Sequence, residues 1–243
     1  MNMLDFLVLL PSSTSPYYAF KTCDAFGKGI VILLFLFSIV TWTIMIEKGI
    51  VLMRVKKASI IFARLFRDKK YVLSLFKSSE MHAGPLVKIY QAGADELLNY
   101  YNLGPESAEF YGSEKYPEQK LTTAQIETVR SILERAVADQ ILLVEDKIGL
   151  LATAVSVSPF FGLLGTVWGV MMAFCAMAIK GKADIGAMAP GIAGALLTTA
   201  VGLLVAIPSL IGYNLLTITI RQITVYMDNF VEEFMAKIKL EQH

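Results

Sequence analysis

Charge and reactive side chains are scarce in this 243-residue sequence. Charged residues make up 18% of it, against about 25% in an ordinary soluble domain. The two histidines, His82 and His243, lie far apart, so no metal-ligand spacing arises. Both read as solvated. The two cysteines, Cys23 and Cys175, form no disulfide framework, and Cys175, inside an apolar run, reads as a small buried hydrophobe. No phosphate-binding loop is present: Gly162, Gly165 and Gly169 fall within an apolar run rather than between a strand and a helix. These absences argue against an enzyme, a metal centre or a bound cofactor. A net charge of +1 gives no global attraction to nucleic acid.

What the chain has instead is apolar length. Hydrophobic residues reach 55%, with a mean hydropathy of +0.57. Gly29 to Ile46, Ile148 to Ile179 and Ile185 to Ile220 each contain no charged residue, and each meets the roughly 18-residue threshold for a membrane-spanning helix. An all-α membrane protein with three transmembrane helices follows. At 1.5 Å per residue the second and third runs reach roughly 48 and 54 Å, more than the roughly 30 Å hydrocarbon core, so both should extend beyond the bilayer into the cytoplasm. Thr122 to Lys147 reads as a helix flowing into the second span: Thr122 and Gln125 can form a capping box, and Val129, Leu133 and Val137 recur at helical spacing.

Basic residues set the expected orientation. Lys48, Arg54, Lys56, Lys57, Arg64, Arg67, Lys69 and Lys70 follow the first span, whereas the first 28 residues balance Lys21 and Lys28 against Asp5 and Asp24. The predicted organisation is a periplasmic segment at 1–28, a first span at 29–53 and a cytoplasmic helical region at 54–147. A second span at 148–179, a periplasmic turn at 180–184, a third span at 185–220 and a cytoplasmic amphipathic tail at 221–243 complete it. Met1 to Leu10 carries Asp5 and no basic start, which argues against a cleavable signal peptide and makes the first span an uncleaved anchor. Gly104 to Gln119 reads as a loop between helical stretches. In the tail, Ile223, Met227, Phe230, Phe234 and Ile238 form an apolar stripe that can meet a partner or the chain's own cytoplasmic helices.

Small residues mark close packing. Gly165 and Gly169 make a G-x-x-x-G step; on the third span Gly191, Ala195 and Thr199 make one stripe and Gly194, Thr198 and Gly202 another. One stripe is expected to seal the second span to the third and the other to face a neighbouring subunit. The spans contain no Asp, Glu, Lys, Arg or His, the residues that usually mark an ion path within hydrocarbon. Their polar groups at depth are Thr153, Ser156, Ser158, Thr166, Thr198, Thr199, Ser209, Tyr213 and Asn214, and most such hydroxyls bond back to their own helix.

Ser156 to Met171 (SVSPFFGLLGTVWGVM), Ala189 to Pro208 (APGIAGALLTTAVGLLVAIP) and Tyr213-Asn214 together resemble the TolQ/ExbB branch of the stator proteins that also include MotA. FSIVTW at Phe37 to Trp42 and DNFVEEF at Asp228 to Phe234 resemble the TolQ side of that branch. The resemblance covers the three spans and the tail and is faint across 55–120. It implies a multi-pass protein of the bacterial inner membrane, driven by proton motive force in the Tol-Pal envelope system, with an ExbB-type stator for outer-membrane uptake as the alternative and a non-conducting membrane scaffold more distant. It also implies a homo-oligomer, a pentamer, around a TolR-like single-span partner whose intramembrane Asp carries the proton, with a TolA-like protein transmitting the work. Thr166 and Thr199 match pore-facing threonines of the family, while Gly162, Gly165, Gly169, Pro190, Gly191, Ala195, Gly202 and Pro208 fall in its helix-packing segments. One departure stands out: the family pattern has a glutamate in the third span where this sequence has Gly194, a position assigned with Thr166 and Thr199 to the proposed ion pathway. On this reading, Gly194→Glu is expected to be accepted and even to improve conduction.

Overall fold

The long apolar runs become long helices because, in lipid, every backbone polar group must be satisfied within its own segment. The computed structural model describes residues 16–104, 120–181 and 185–242. All regular structure among them is helical: α1 (Pro16–Thr22), α2 (Ala25–Asp68), a 3-10 turn (Val72–Leu75), α3 (Phe76–Ser79), α4 (Pro85–Tyr100), α5 (Thr123–Glu145), α6 (Ile148–Lys180) and α7 (Ile185–Glu241). Three of them are long and apolar enough to cross a membrane. Residues 1–15 of the expected segment 1–28, 105–119 of the expected loop 104–119, 182–184 of the expected turn 180–184, and His243 lie outside the described residues, whereas His82 is exposed as expected.

The chain divides into two units, one of residues 1–46 and 147–214, the other of 47–146 and 215–243. The first is apolar on its outside: Phe35, Leu36 and Ile39 of α2, Phe160, Leu163 and Val167 of α6, and Leu196, Leu204 and Ile211 of α7 are all exposed. Its interior holds Ile30, Leu34 and Val205, with Phe37, Phe161 and Val201 packed around them. Such an inverted exterior is stable only in lipid. Within this unit α2 contributes Ala25–Ile46, α6 runs over Ile148–Lys180 and α7 over Ile185–Asn214, each at least roughly 30 Å long at 1.5 Å per residue and so long enough to cross one hydrocarbon thickness.

The second unit has a conventional core. Phe62, Phe66, Tyr90, Phe230 and Phe234 are all buried, with ring centroids 4.8 Å apart for Phe66 and Phe230 and 5.8 Å for the stacked Phe66 and Phe234. The buried Tyr90 hydroxyl donates to the Val72 carbonyl at 2.8 Å. Ile223, Met227, Phe230, Phe234 and Ile238 of the tail are essentially inaccessible, so the tail stripe is spent on the chain's own helices. Lys237 crowns this packing. Its ammonium donates to the carbonyls of Phe66 and, at 2.6 Å, of Lys69, satisfying the C-terminal end of α2. Burial lowers its pKa from the ordinary lysine value. At α5, Arg130 forks onto Glu232 at 2.7 and 3.4 Å, and that guanidinium holds the Glu232 carboxyl below its usual range.

The capping box at Thr122 and Gln125 forms as the sequence indicates. The helix it starts does not flow into the second span, however. α5 stops at Glu145, and Lys147 takes a left-handed conformation, φ 64°, before α6 starts. Lys48 supplies a physical reason. Its side chain is almost fully buried, and its ammonium takes the Val144 carbonyl at 3.5 Å and the Asp146 carboxylate at 3.9 Å. A carbonyl given to a buried cation is one the helix need not carry forward, and a buried cation without acceptors is costly.

The tail packing is directly testable. Phe234→Ala should destabilise the detergent-solubilised protein by about 3–5 kcal/mol, as for large core truncations, and lower its thermal midpoint in a scanning fluorescence assay. An unchanged midpoint would mean that the tail does not need its own chain's core.

Candidate functional site

The first unit is organised around the seam between α6 and α7, where glycines bring two backbones together. A Cβ on Gly169 would lie 2.8 Å from the Ala195 Cβ and 3.2 Å from the Gly191 carbonyl oxygen. On Gly202 it would lie 2.8 Å from the Ser158 carbonyl, and on Gly162 3.0 Å from the Thr199 Cα. Gly165 faces the Thr198 side chain, which is fully buried and donates to the Ala195 carbonyl at 2.6 Å. Residues of both small-residue stripes of α7 are therefore used within this chain. Neither stripe is left whole for a neighbouring subunit, in contrast to the expectation that one would be. Pro190 and Pro208 lie within α7, and Pro159 within α6.

Next to this seam, Thr166 and Thr199 meet. Their hydroxyl oxygens are 3.1 Å apart, and both residues are half-buried. Thr199 donates to the Gly162 carbonyl at 2.9 Å, and Thr166 can donate to the Leu163 carbonyl at 2.8 Å. A hydroxyl has one proton and two lone pairs. With protons turned toward backbone carbonyls, the pair presents lone pairs that accept from a protonated acid. By turning one proton outward it can donate to a carboxylate, at the net cost of one hydrogen bond, about 0.5–1.5 kcal/mol. The remaining hydroxyls follow the usual rule: Thr153, Ser156, Ser158 and Ser209 bond back to carbonyls four residues earlier.

Gly194 does not join the threonine pair. It is buried against the elbow between α1 and α2, where a Cβ would lie 2.9 Å from the Cys23 Sγ and 3.3 Å from its Cα. Five residues separate it from Thr199, about 140° around the helix. The expectation that a glutamate is accepted at 194 is therefore revised, because its first carbon already collides.

Sequence reasoning did not find the group beside it. Asp24 caps α2, accepting from the Gly27 N–H on one carboxylate oxygen at 2.9 Å, and on the other it accepts from the Trp168 indole N–H at 2.7 Å. Phe26 packs on the Trp168 ring with centroids 4.5 Å apart. An Asp before a helix signals a cap, but nothing in its spacing signals a bond to a residue 144 positions away. Among the described residues no group of His, Cys, Asp and Glu could hold a metal ion.

A polar pair set into a glycine seam between spanning helices defines a multi-pass membrane protein with a packed, acid-free helix pair. Residues 106–229 match the model of the MotA/TolQ/ExbB proton channel family. The chain is 31% identical to the Tol-Pal system protein TolQ of Haemophilus influenzae over 84% of this chain and 85% of that one. It is 34% identical to the biopolymer transport protein ExbB of Salmonella typhimurium over 90% and 82%, and 35% identical to ExbB of Pseudomonas putida over 82% of this chain and 56% of that one. The chain belongs to the MotA/TolQ/ExbB proton channel family.

Gly194→Glu should reduce the yield of folded protein on fluorescence-detected size-exclusion chromatography, with a cost of about 1–3 kcal/mol typical of overpacking. Adding Cys23→Ala, which removes the nearest atom, should restore part of it. Full yield from the single variant would show that the elbow yields freely.

Proposed function

We propose that this chain is the ring-forming subunit of a proton-motive-force-driven stator in the bacterial inner membrane, acting in the Tol-Pal envelope system. The observation that carries this reading is the Thr166–Thr199 hydroxyl pair in a spanning seam without an acid. A proton crossing such a seam needs a carboxyl group supplied from outside the chain, and that group needs a polar station when it loses its proton, since an unpaired carboxylate in an apolar bore is prohibitively costly. A homo-oligomer, a pentamer, surrounding a TolR-like single-span partner with an intramembrane Asp meets both needs, with a TolA-like protein as the load. The Tol side is favoured by the FSIVTW and DNFVEEF segments. The ExbB reading is kept by relatives at 34% and 35% identity. Loss of detergent resistance in cells lacking the chain supports the first, and loss of energised uptake with intact resistance supports the second.

The test of the mechanism is the double variant Thr166→Val, Thr199→Val as the only copy in the cell. It should assemble with its partner but lose detergent resistance, whereas Thr198→Val should be better tolerated. Wild-type resistance from the double variant would make the hydroxyls structural.

The basic cluster after the first span supports a periplasmic N-terminus and a cytoplasmic C-terminus. Single cysteines introduced at Ser12, Lys70 and Lys182 should react with an impermeant reagent in spheroplasts at 12 and 182 only. Labelling at 70 would reverse the topology.

A further inference from the structure

We propose that Arg54 and Lys57 of α2 form a docking site for the phosphate headgroup of an anionic phospholipid, on the side where α2 leaves the bilayer. The inference needs only that α2 spans a membrane, so it stands apart from the proton-driven reading above.

The cations that follow the first span divide by what they touch. Lys48 is buried on the Val144 carbonyl and Asp146, Lys56 donates to Gln222 at 2.7 Å, Arg67 pairs with Glu233 at 3.3 Å, and Lys70 lies 5.3 Å from the centre of the Tyr71 ring. Arg54, Lys57 and Arg64 are exposed and, among the described residues, have no hydrogen bond, ion pair or ring contact. They share one face of the helix. Ile50, Arg54, Lys57, Ile61 and Arg64 follow alternating steps of four and three residues, which keeps them within about 40° of one line along α2. From Ile50 to Arg67 the helix carries no acidic residue to neutralise them.

This face changes character within one residue. Ile50 and Met53 are 44% and 58% exposed, and Arg54 follows at once. A face bathed in water throughout gains nothing from that apolar turn, whereas a bilayer presents hydrocarbon and then phosphate in this order. Length agrees: counted from Gly29, which follows Lys28, roughly 30 Å of hydrocarbon ends near Gly49 and a headgroup layer of about 5–7 Å ends near Arg54. Lys57 is one turn further. In a helix the Cα–Cβ bonds tilt toward the N-terminus, here toward the bilayer, and long basic side chains lay their stems along apolar surface to bring the charge to the interface. Arg64 lies about 15 Å beyond Arg54 along the axis, outside the headgroup layer.

The occupant follows from the chemistry. Residues three apart on a helix have Cβ atoms about 5–6 Å apart, so the Arg54 guanidinium and the Lys57 ammonium can take one phosphate between them, the guanidinium through paired N–H donors. Ile50 and Met53 beside them offer apolar contact that an inorganic phosphate cannot use. A choline headgroup would bring its own cation against the pair, which selects a lipid with net negative charge. A lipid held this way fixes the depth at which α2 leaves the bilayer.

The full-length chain, purified in a neutral maltoside detergent in the oligomeric form it adopts, is titrated with phosphatidylglycerol and with phosphatidylcholine, and bound lipid is counted by native mass spectrometry. At roughly fivefold in affinity for each cation near the surface, the wild-type chain should prefer phosphatidylglycerol by about twentyfold, and the double variant Arg54→Gln, Lys57→Gln by no more than about threefold. Arg64→Gln should stay within about twofold of wild type, since screening weakens a charge that far from the phosphate. The charge-keeping double variant Arg54→Lys, Lys57→Arg should retain the preference. Wild-type preference in the glutamine double variant overturns the proposal, as does a wild-type chain that prefers neither lipid. Equal losses from Arg64→Gln and the double variant would mean a diffuse field rather than a site and overturn it too, and so would displacement of the lipid by inorganic phosphate. If the glutamine double variant fails to fold, Arg54→Gln alone decides, with an expected loss of about fivefold and an unchanged preference as the overturning result.

Discussion

Close backbone approach along the α6–α7 seam is the constraint on which the spanning unit depends. Lipid tails are as apolar as leucine, so apolar burial does not pull two membrane helices together, and association relies on van der Waals packing and interhelical hydrogen bonds. Packing of that kind falls off within fractions of an ångström, which is why the seam is built from Gly162, Gly165, Gly169, Gly191, Ala195 and Gly202. The same proximity lets the Thr199 hydroxyl of one helix reach the Gly162 carbonyl of the other. Removing the Cβ atoms thus supplies both the dispersion contacts and the polar bond across the pair.

The second unit is stabilised by water-driven burial, and the difference shows in its side chains. Five aromatic rings replace glycines as the packing material, and Gly93 sits where a Cβ would lie 2.6 Å from Leu133 and 2.9 Å from Phe234. Two lysines act as internal fasteners. Lys237 closes the carbonyl end of α2, and Lys48 holds Val144 and Asp146 where α5 ends. Arg67 to Glu233 and Lys56 to Gln222 add contacts between the exposed flanks of α2 and α7, which as surface pairs contribute little to stability but fix their register.

Legibility tracked the range over which each determinant acts. The spans were readable because lipid imposes a length and an apolarity that no local choice can evade, and the Thr122 cap was readable because its partner is three residues away. The break at Lys147 was not, since the segment contains neither glycine nor proline and its partner Lys48 is 96 residues from Val144. Asp24 looked like half of a balanced charge pair before the first span until Trp168 was placed against it. Small-residue stripes announced tight packing but not its partner: Gly194 and Thr198 share one stripe, yet one faces the α1–α2 elbow and the other faces Gly165. Family resemblance singled out Thr166 and Thr199 as pore-facing, but their meeting at 3.1 Å is visible only in the structure, since no spacing rule pairs residues on two different helices.

Placing hydroxyls rather than an acid at the seam has a chemical consequence. A carboxylate fixed between two apolar helices would be strongly destabilised whenever it lost its proton, and the closely packed seam leaves little room for the solvent needed to support it. A threonine pair carries no charge in any state, remains satisfied by backbone carbonyls when alone, and can turn either a lone pair or a proton toward a visiting group. The seam is therefore stable while empty and responsive when occupied. On the proposed reading, ionisation is left to a carboxyl group that a partner supplies, and the seam itself carries no charge.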